Sequence, residues 1–338
     1  MKRGSFVSDF KQNEIFLNLK DSKKNRDGFF CDLWMLRNRL LEAGLDLSTS
    51  DINPPDDSDF LLLETTNQEA NFGVKVTYLL LMESDIIRSE EFNPDRHANF
   101  TKVFTWSDRL VEYDPHKYIK RNYSFCFPSV LNFSDEPRDK LCTMIAGNKI
   151  SYEPTELYSS RLDAIKWFEK NRPEDFDLYG IAWNRLYIKS RYKILRIPNR
   201  LDFLSRILYS RRPSFRGPIR TKKEILSKYR FSICYENCAS LGYISEKIFD
   251  CFFAGCVPIY LGAPNVSSYI PNKAFIDRRN FKSNSDLYNY ISEMSQTEYA
   301  AYQTAILDFL QSQAAQQFNA KYTAEIFKRQ LINDGIII

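Results

Sequence analysis

Between Tyr229 and Gly262 the chain spells out one complete crossover unit. The run YRFSICY (residues 229–235) predicts a buried strand. A polar joint, ENCASLGYISEK, follows it. The stretch IFDCFFAG predicts an apolar helix starting at about Ser245, with Gly255 as its stop. A second strand spans 256–261 and ends at Gly262. A strand, a helix and a second strand of these lengths close as a right-handed parallel pair with the helix on one face. Such sheets are covered on both sides, so their strands read as unbroken apolar runs. They bind ligands beyond the carboxyl ends of the strands.

The same rhythm recurs along the chain. DLWMLRNRLLEAG (32–44) places Leu33, Leu36, Leu40 and Leu41 at helical spacing, and Gly44 fits a stop. DFLLLE (59–64), VKVTYLLLME (74–83) and FTKVFTWSD (100–108) predict three strands. KLCTMIAGNK (140–149) opens another sheet, followed by the helix LYSSRLDAIKWFEKN and the short strand FDLYG. The expected architecture is α/β, two doubly wound halves facing across a cleft. The boundary is expected near residue 140, which gives an acceptor-binding domain over 1–139 and a donor-binding domain over 140–338. YTAEIFKRQLINDGIII reads as a helix closing the second of these.

Composition narrows the functional classes. A chain of 338 residues with 43% apolar content supports large cores, and a net charge of +4 is no polycation. No apolar run is long enough to cross a bilayer as a helix, and MKRGSFVSDF lacks the apolar core of a secretory signal. Cys31, Cys126, Cys142, Cys234, Cys251 and Cys256 mostly sit in apolar runs and read as reduced core thiols. Cys234 and Cys238 lack the partners of a zinc set. Together these features predict a reducing, cytoplasmic setting.

The polar joint carries the chemistry. Glu236 and Asn237 lie at the carboxyl end of the strand, while Ser245, Glu246 and Lys247 fall in the first turn of the helix. Ser245 is placed to cap that turn. Unpaired amides there carry partial positive charge and can hold a phosphate, to which Lys247 adds a full charge. Glu246 can accept two adjacent hydroxyls, as a ribose presents them. Gly242 lets the loop pass close to a ligand. The pattern predicts a nucleotide-diphosphate site without a glycine-rich fingerprint. A helix cap with a surface ion pair accounts for Ser245 and Glu246 alone, but not for Glu236, Asn237 and Tyr243.

The segment KYRFSICYEN…GYISEKIFDCFFAGCVPIYLGAPNVSSYIPNKAFIDRRNF (228–281) resembles the signature of the α1,3/4-fucosyltransferases, glycosyltransferase family 10. The resemblance thins toward residues 75 and 305. Ser245 and Ala274 replace a usual Thr and Ser, and Arg278 and Arg279 depart from the pattern. The resemblance implies a GT-B fold, two Rossmann-like domains, and inverting transfer of fucose from GDP-fucose to an acceptor glycan through an α1,3 or α1,4 linkage. It implies that Glu236 and Asn237 line the donor site and that Tyr243 contacts the nucleotide. Glu246 matches the ribose ligand, and Lys247 and Arg161 meet the diphosphate. Glu83, which ends LLLME, matches the base that deprotonates the acceptor hydroxyl. On position alone Glu64 and Asp108 rival it. A bacterial-type soluble member is implied, acting on an N-acetyllactosamine, lactose or lipopolysaccharide acceptor.

No metal is expected to be required, and the reading leaves room only for modest stimulation by Mn²⁺ or Mg²⁺. The strings Asp57-Ser-Asp59 and Asp175-Phe-Asp177 precede their strands instead of following them, which reads as turns. From Arg185 to Arg230 only Asp202 and Glu224 interrupt a strongly basic stretch. No nucleic-acid module is recognisable there, so peripheral contact with an anionic inner membrane is the expectation. Two alternatives stay open. One is a related enzyme using another nucleotide sugar; the other is a nucleic-acid-binding protein working through 185–230.

Overall fold

The computed structural model describes residues 1–17, 25–67, 76–129, 133, 138–184 and 212–337. Two parallel six-stranded sheets organise them. The first has the order β2-β1-β3-β4-β5-β6 and the second β12-β11-β10-β7-β8-β9. The first sheet comprises β1 (Lys2–Val7), β2 (Leu45–Thr49), β3 (Phe60–Leu63), β4 (Thr77–Leu80), β5 (Lys102–Thr105) and β6 (Tyr118–Lys120). Its central strands β3 and β4 are short and almost wholly apolar because both faces are covered, as in FLLL and TYLL. Sequence reading found β3, β4 and β5 but missed β1 and β2. KRGSFV begins with two charges and LDLST alternates, so neither shows a long apolar run.

The second sheet opens at β7 (Lys140–Ile145) and continues through β8 (Phe176–Tyr179), β9 (Phe215–Gly217), β10 (Tyr229–Tyr235), β11 (Val257–Leu261) and β12 (Ile276–Asp277). The helices that serve the argument are α1 (Cys31–Glu42), α2 (Asp108–Tyr113), α3 (Tyr158–Asn171), α4 (Lys222–Leu226) and α5 (Glu246–Ala254). Three more follow: α6 (Asn284–Glu293), α7 (Gln296–Gln311) and α8 (Ala320–Asn333). The crossover read from 229–262 is β10-α5-β11, with Ile233 paired to Ile259. The basic stretch 185–230 falls outside the described residues as far as 211.

The closing helix corrects the expected domain division. α8 packs on the first lobe, not on the second. Ala324, Phe327 and Leu331 share a core with Leu33, Leu36 and Leu40 of α1. Phe327 stacks on Phe104 at 3.8 Å, and the Tyr78 hydroxyl donates to Asp334. The chain therefore crosses between lobes twice, and the crossings run side by side. Phe125 N donates to Phe318 O at 2.8 Å, and Ala320 N to Phe125 O at 2.9 Å. An amphipathic helix buries its apolar stripe wherever an uncovered sheet face remains.

The thiol reading is corrected as well. Cys31, at the start of α1, and Cys126, beside the crossing, form a disulfide across 95 residues, with Cα atoms 5.9 Å apart. Spacing alone could not pair them. Cys142, Cys234, Cys238, Cys251 and Cys256 are buried free thiols. The thiol argument for a reducing compartment thus covers five of the seven cysteines.

Candidate active site

Glu236 is the hub from which the site is built. It follows the last residue of β10 and has no accessible surface. Its main-chain N–H donates to Leu261 O across the sheet at 2.7 Å. Its carboxylate accepts from Ser245 N at 2.7 Å, from Ser245 Oγ at 2.6 Å and from Lys247 Nζ at 3.1 Å. A buried carboxylate is stable only with such donors around it. Two expectations change here. Glu236, expected to line a donor site, is buried with its carboxylate turned to Ser245 and Lys247. Ser245 occupies the N-cap position of α5, yet its hydroxyl donates to Glu236 and makes no cap bond.

Lys247 is held by the same cluster. Its ammonium also reaches Ser245 Oγ at 2.8 Å and Glu246 Oε1 at 3.5 Å. Burial alone would lower its pKa, but Glu236 and Glu246 outweigh burial and raise it. The charge expected to meet a diphosphate is therefore present, with its own acidic partners. Glu246 opens toward solvent, with 35% of its side chain accessible. Burial would raise its pKa; Lys247 and Lys222 overcome that and hold it well below the carboxylate range.

Arg161 sits in the first turn of α3, where sequence placed it. It is buried and forked. Nε and Nη2 donate to Tyr235 O at 3.0 and 2.7 Å, and Nη2 to Asn237 Oδ1 at 3.0 Å. Asn237 Nδ2 in turn donates to the Tyr243 hydroxyl at 3.2 Å. The arginine thus grips the end of β10. Tyr243, expected to contact nucleotide, has its ring packed between Trp106 (4.8 Å) and Tyr123 (5.7 Å) of the first lobe.

The joint is also where the lobes meet. Asp108, a sequence-level rival for the base, is committed there. It accepts from Lys120, from Asn265 Nδ2 at 2.7 Å and from the Tyr269 hydroxyl at 2.6 Å. Asp85 accepts from Ser240 Oγ at 2.8 Å. Gly242 serves this contact. Its φ is +81°, and a Cβ there would stand 2.4 Å from Trp106 O.

A cavity of about 820 Å³ lies between the carboxyl ends of the first sheet and the start of α5. Asp9, Glu64 and Glu83, which follow β1, β3 and β4, line it from one side; Lys222, Glu246 and Asp250 line it from the other. Glu83 is exposed, and its main chain is pinned by Trp106 Nε1, which donates to its carbonyl at 3.1 Å. Glu64 remains a rival in the same cavity. Burial pushes its carboxyl up, helped by Asp9 and Glu83 and opposed by Arg88. Three of the four aspartates in the two Asp-x-Asp strings are spent elsewhere. Asp59 pairs with Lys2, Asp175 accepts from Tyr288, and Asp177 pairs with Lys140 and Arg216.

Sequence reasoning missed Lys222 and Asp250. Asp250 left a signal, since it stands one turn after Glu246 and interrupts the apolar run that follows Lys247, so the two acids share a face. Lys222 was hidden in the basic stretch.

Two parallel-sheet lobes facing across this cleft define a GT-B glycosyltransferase fold. A solved α1,3-fucosyltransferase with GDP-fucose has the same fold. It superposes with a TM-score of 0.54 at 16% identity, covering 98% of this chain and 91% of that one. Residues 208–322 match the family model described as glycosyltransferase family 10 (fucosyltransferase) C-term. The α-(1,3)-fucosyltransferase FucT of Helicobacter pylori is 35% identical over 92 residues, which are 27% of this chain and 18% of that protein. An α-(1,4)-fucosyltransferase of Arabidopsis thaliana is 38% identical over 69 residues, 20% of this chain and 17% of that protein. The chain spans less than a fifth of the length of these curated relatives.

Proposed function

We propose that this protein transfers fucose from GDP-fucose to a hydroxyl of an acceptor glycan, with inversion at the sugar carbon. The observation that carries the reading is the placement of Glu246. It stands in the first turn of α5, inside the stretch matched by the family model, and faces Glu83 across the cavity. Glu246 takes the ribose hydroxyls. Lys247 and the free amides of the turn offset the charge of the diphosphate. Arg161, Asn237 and Tyr243 hold the loop around the nucleotide, and Glu236 fixes Ser245 and Lys247.

Chemistry at the cleft is a single displacement. Glu83 takes the proton from the acceptor hydroxyl as its oxygen attacks the fucosyl carbon, and GDP leaves with the bonding pair. The acceptor is a GlcNAc or Glc residue of an N-acetyllactosamine, lactose or lipopolysaccharide glycan, joined α1,3 or α1,4. No metal is needed for this step, because the positive charges at the donor end come from the protein; Mn²⁺ or Mg²⁺ would only assist. A cytoplasmic location with peripheral contact to the inner membrane through 185–230 completes the reading.

Incubation with GDP-fucose and an array of neutral and anionic glycans, read by mass, tests the proposal. Gain of one deoxyhexose on an acceptor supports it. No transfer to any acceptor, together with no calorimetric binding of GDP, overturns it; binding of UDP in place of GDP would point to another nucleotide sugar.

A further inference from the structure

Three charged groups meet at the start of α5 beyond those the transfer reaction uses. Lys222 comes from α4, a separate segment. Its Nζ donates to Asp250 Oδ2 at 2.6 Å and lies 3.7 Å from Glu246 Oε1. Its main-chain N–H donates to Asp27 Oδ1 of the first lobe at 2.9 Å. Lys222, Glu246, Asp250 and Asp27 all line the cavity. The geometry is unequal in a useful way. The short bond goes to Asp250, so the ammonium is anchored there. The longer contact leaves the Glu246 oxygens able to accept from a ligand. Lys247 flanks Glu246 on its other side at 3.5 Å.

We infer that Lys222, anchored by Asp250, is a positioning residue that aims the Glu246 carboxylate at the two adjacent hydroxyls of the nucleotide ribose. The inference rests on the reading of Glu246 as the ribose ligand. Without Lys222, the carboxylate keeps Lys247 as its paired cation and can swing toward that side. The Asp27 contact places this lysine at the seam of the lobes, so the aim of the carboxylate is tied to how the first lobe docks.

Calorimetric titration of the full chain with GDP and with 2′,3′-dideoxy-GDP tests this. The wild type should prefer GDP, because only GDP offers the diol. Lys222→Met should weaken GDP binding by about tenfold, the scale of one charged hydrogen bond, and change dideoxy-GDP binding by less than about twofold. The preference then disappears, and Lys222→Arg restores part of it. A purely structural role would weaken both nucleotides alike, and that result overturns the inference. If the wild type itself shows no preference, the ribose reading of Glu246 falls and takes this inference with it. Should Lys222→Met fail to fold, Asp250→Asn removes the anchor with an isosteric side chain. It should reduce the preference by about threefold, and an unchanged preference overturns the inference.

Discussion

Two clusters, one at the joint after β10 and one beyond β3 and β4, are built on opposite plans. At the joint, Arg161, Glu236, Ser245 and Lys247, which stand behind the cavity lining, are buried or nearly so, and each is tied to at least two neighbours. Beyond the first sheet, Glu83 stands exposed after β4, held through its main chain with no side-chain hydrogen bond to the described residues, while Glu64 is half-buried. The difference matches the tasks that the proposed reaction would set. A diphosphate needs fixed dipoles and charges that do not reorganise. A base must meet a hydroxyl that arrives from solution, so its side chain stays free. Arg161 shows how the rigid plan is achieved, with one guanidinium bonded to both the carbonyl that ends β10 and the amide side chain two residues later.

The comparison breaks first at Glu83. Glu83→Gln should cut turnover by a factor on the order of 10² or more while GDP binding measured by calorimetry stays near wild type. Glu64→Gln should cost much less. If Glu64→Gln is the more damaging of the two, the base is misassigned.

The rigid cluster should fail by a different route. Glu236→Ala leaves Lys247 and Ser245 without their buried acceptor. It should cost about 3–5 kcal/mol in chemical denaturation and abolish GDP binding, because removing one member of a buried charged set strands the other. Retained stability would mean that Glu236 is not the hub. Gly262→Ala sharpens the same point with a single methyl. A Cβ at 262 would stand 2.4 Å from the Tyr260 hydroxyl and 2.5 Å from Glu236 Cγ. Loss of about 1–3 kcal/mol with weaker GDP binding is expected, from overpacking that displaces Glu236.

The smallest effect concerns the first lobe alone. His97 is buried, with Nε2 donating to Glu91 O at 2.8 Å and Nδ1 accepting from the Tyr118 hydroxyl at 2.9 Å. Burial lowers its pKa, and Lys117 adds to that, against the Glu91 carbonyl. An unfolded histidine gains its proton near pH 6.5, while the folded one stays neutral to lower pH. Stability should therefore hold above about pH 6.5 and decline as the pH falls below it. His97→Gln should lower the melting temperature at neutral pH but flatten this slope, and an unchanged slope would assign it to other groups.

Much of the second lobe was legible from the chain itself. The unit β10-α5-β11 matches its predicted bounds to within a residue, because a buried parallel crossover demands unbroken apolar runs and a glycine stop. The set Glu236, Asn237, Ser245, Glu246 and Lys247 stood out because polar residues crowded between such runs need a reason. The first lobe was less legible. β1 carries two charges at its exposed start and β2 alternates, and Glu83 looks like any loop acid until β4 and the cavity place it.

Local sequence therefore determined the elements and the chemical inventory of the cleft, since periodicity and turn chemistry act over a few residues. Only the tertiary structure decided which groups are spent on holding the protein together. It paired Cys31 with Cys126, laid α8 on the first lobe, committed Asp108 to the seam, turned Gly242 toward Trp106 and sank Glu236 beneath Lys247. The reason is that burial and partnership depend on contacts between residues tens or hundreds of positions apart. A carboxylate becomes a hub or a free base according to what folds against it.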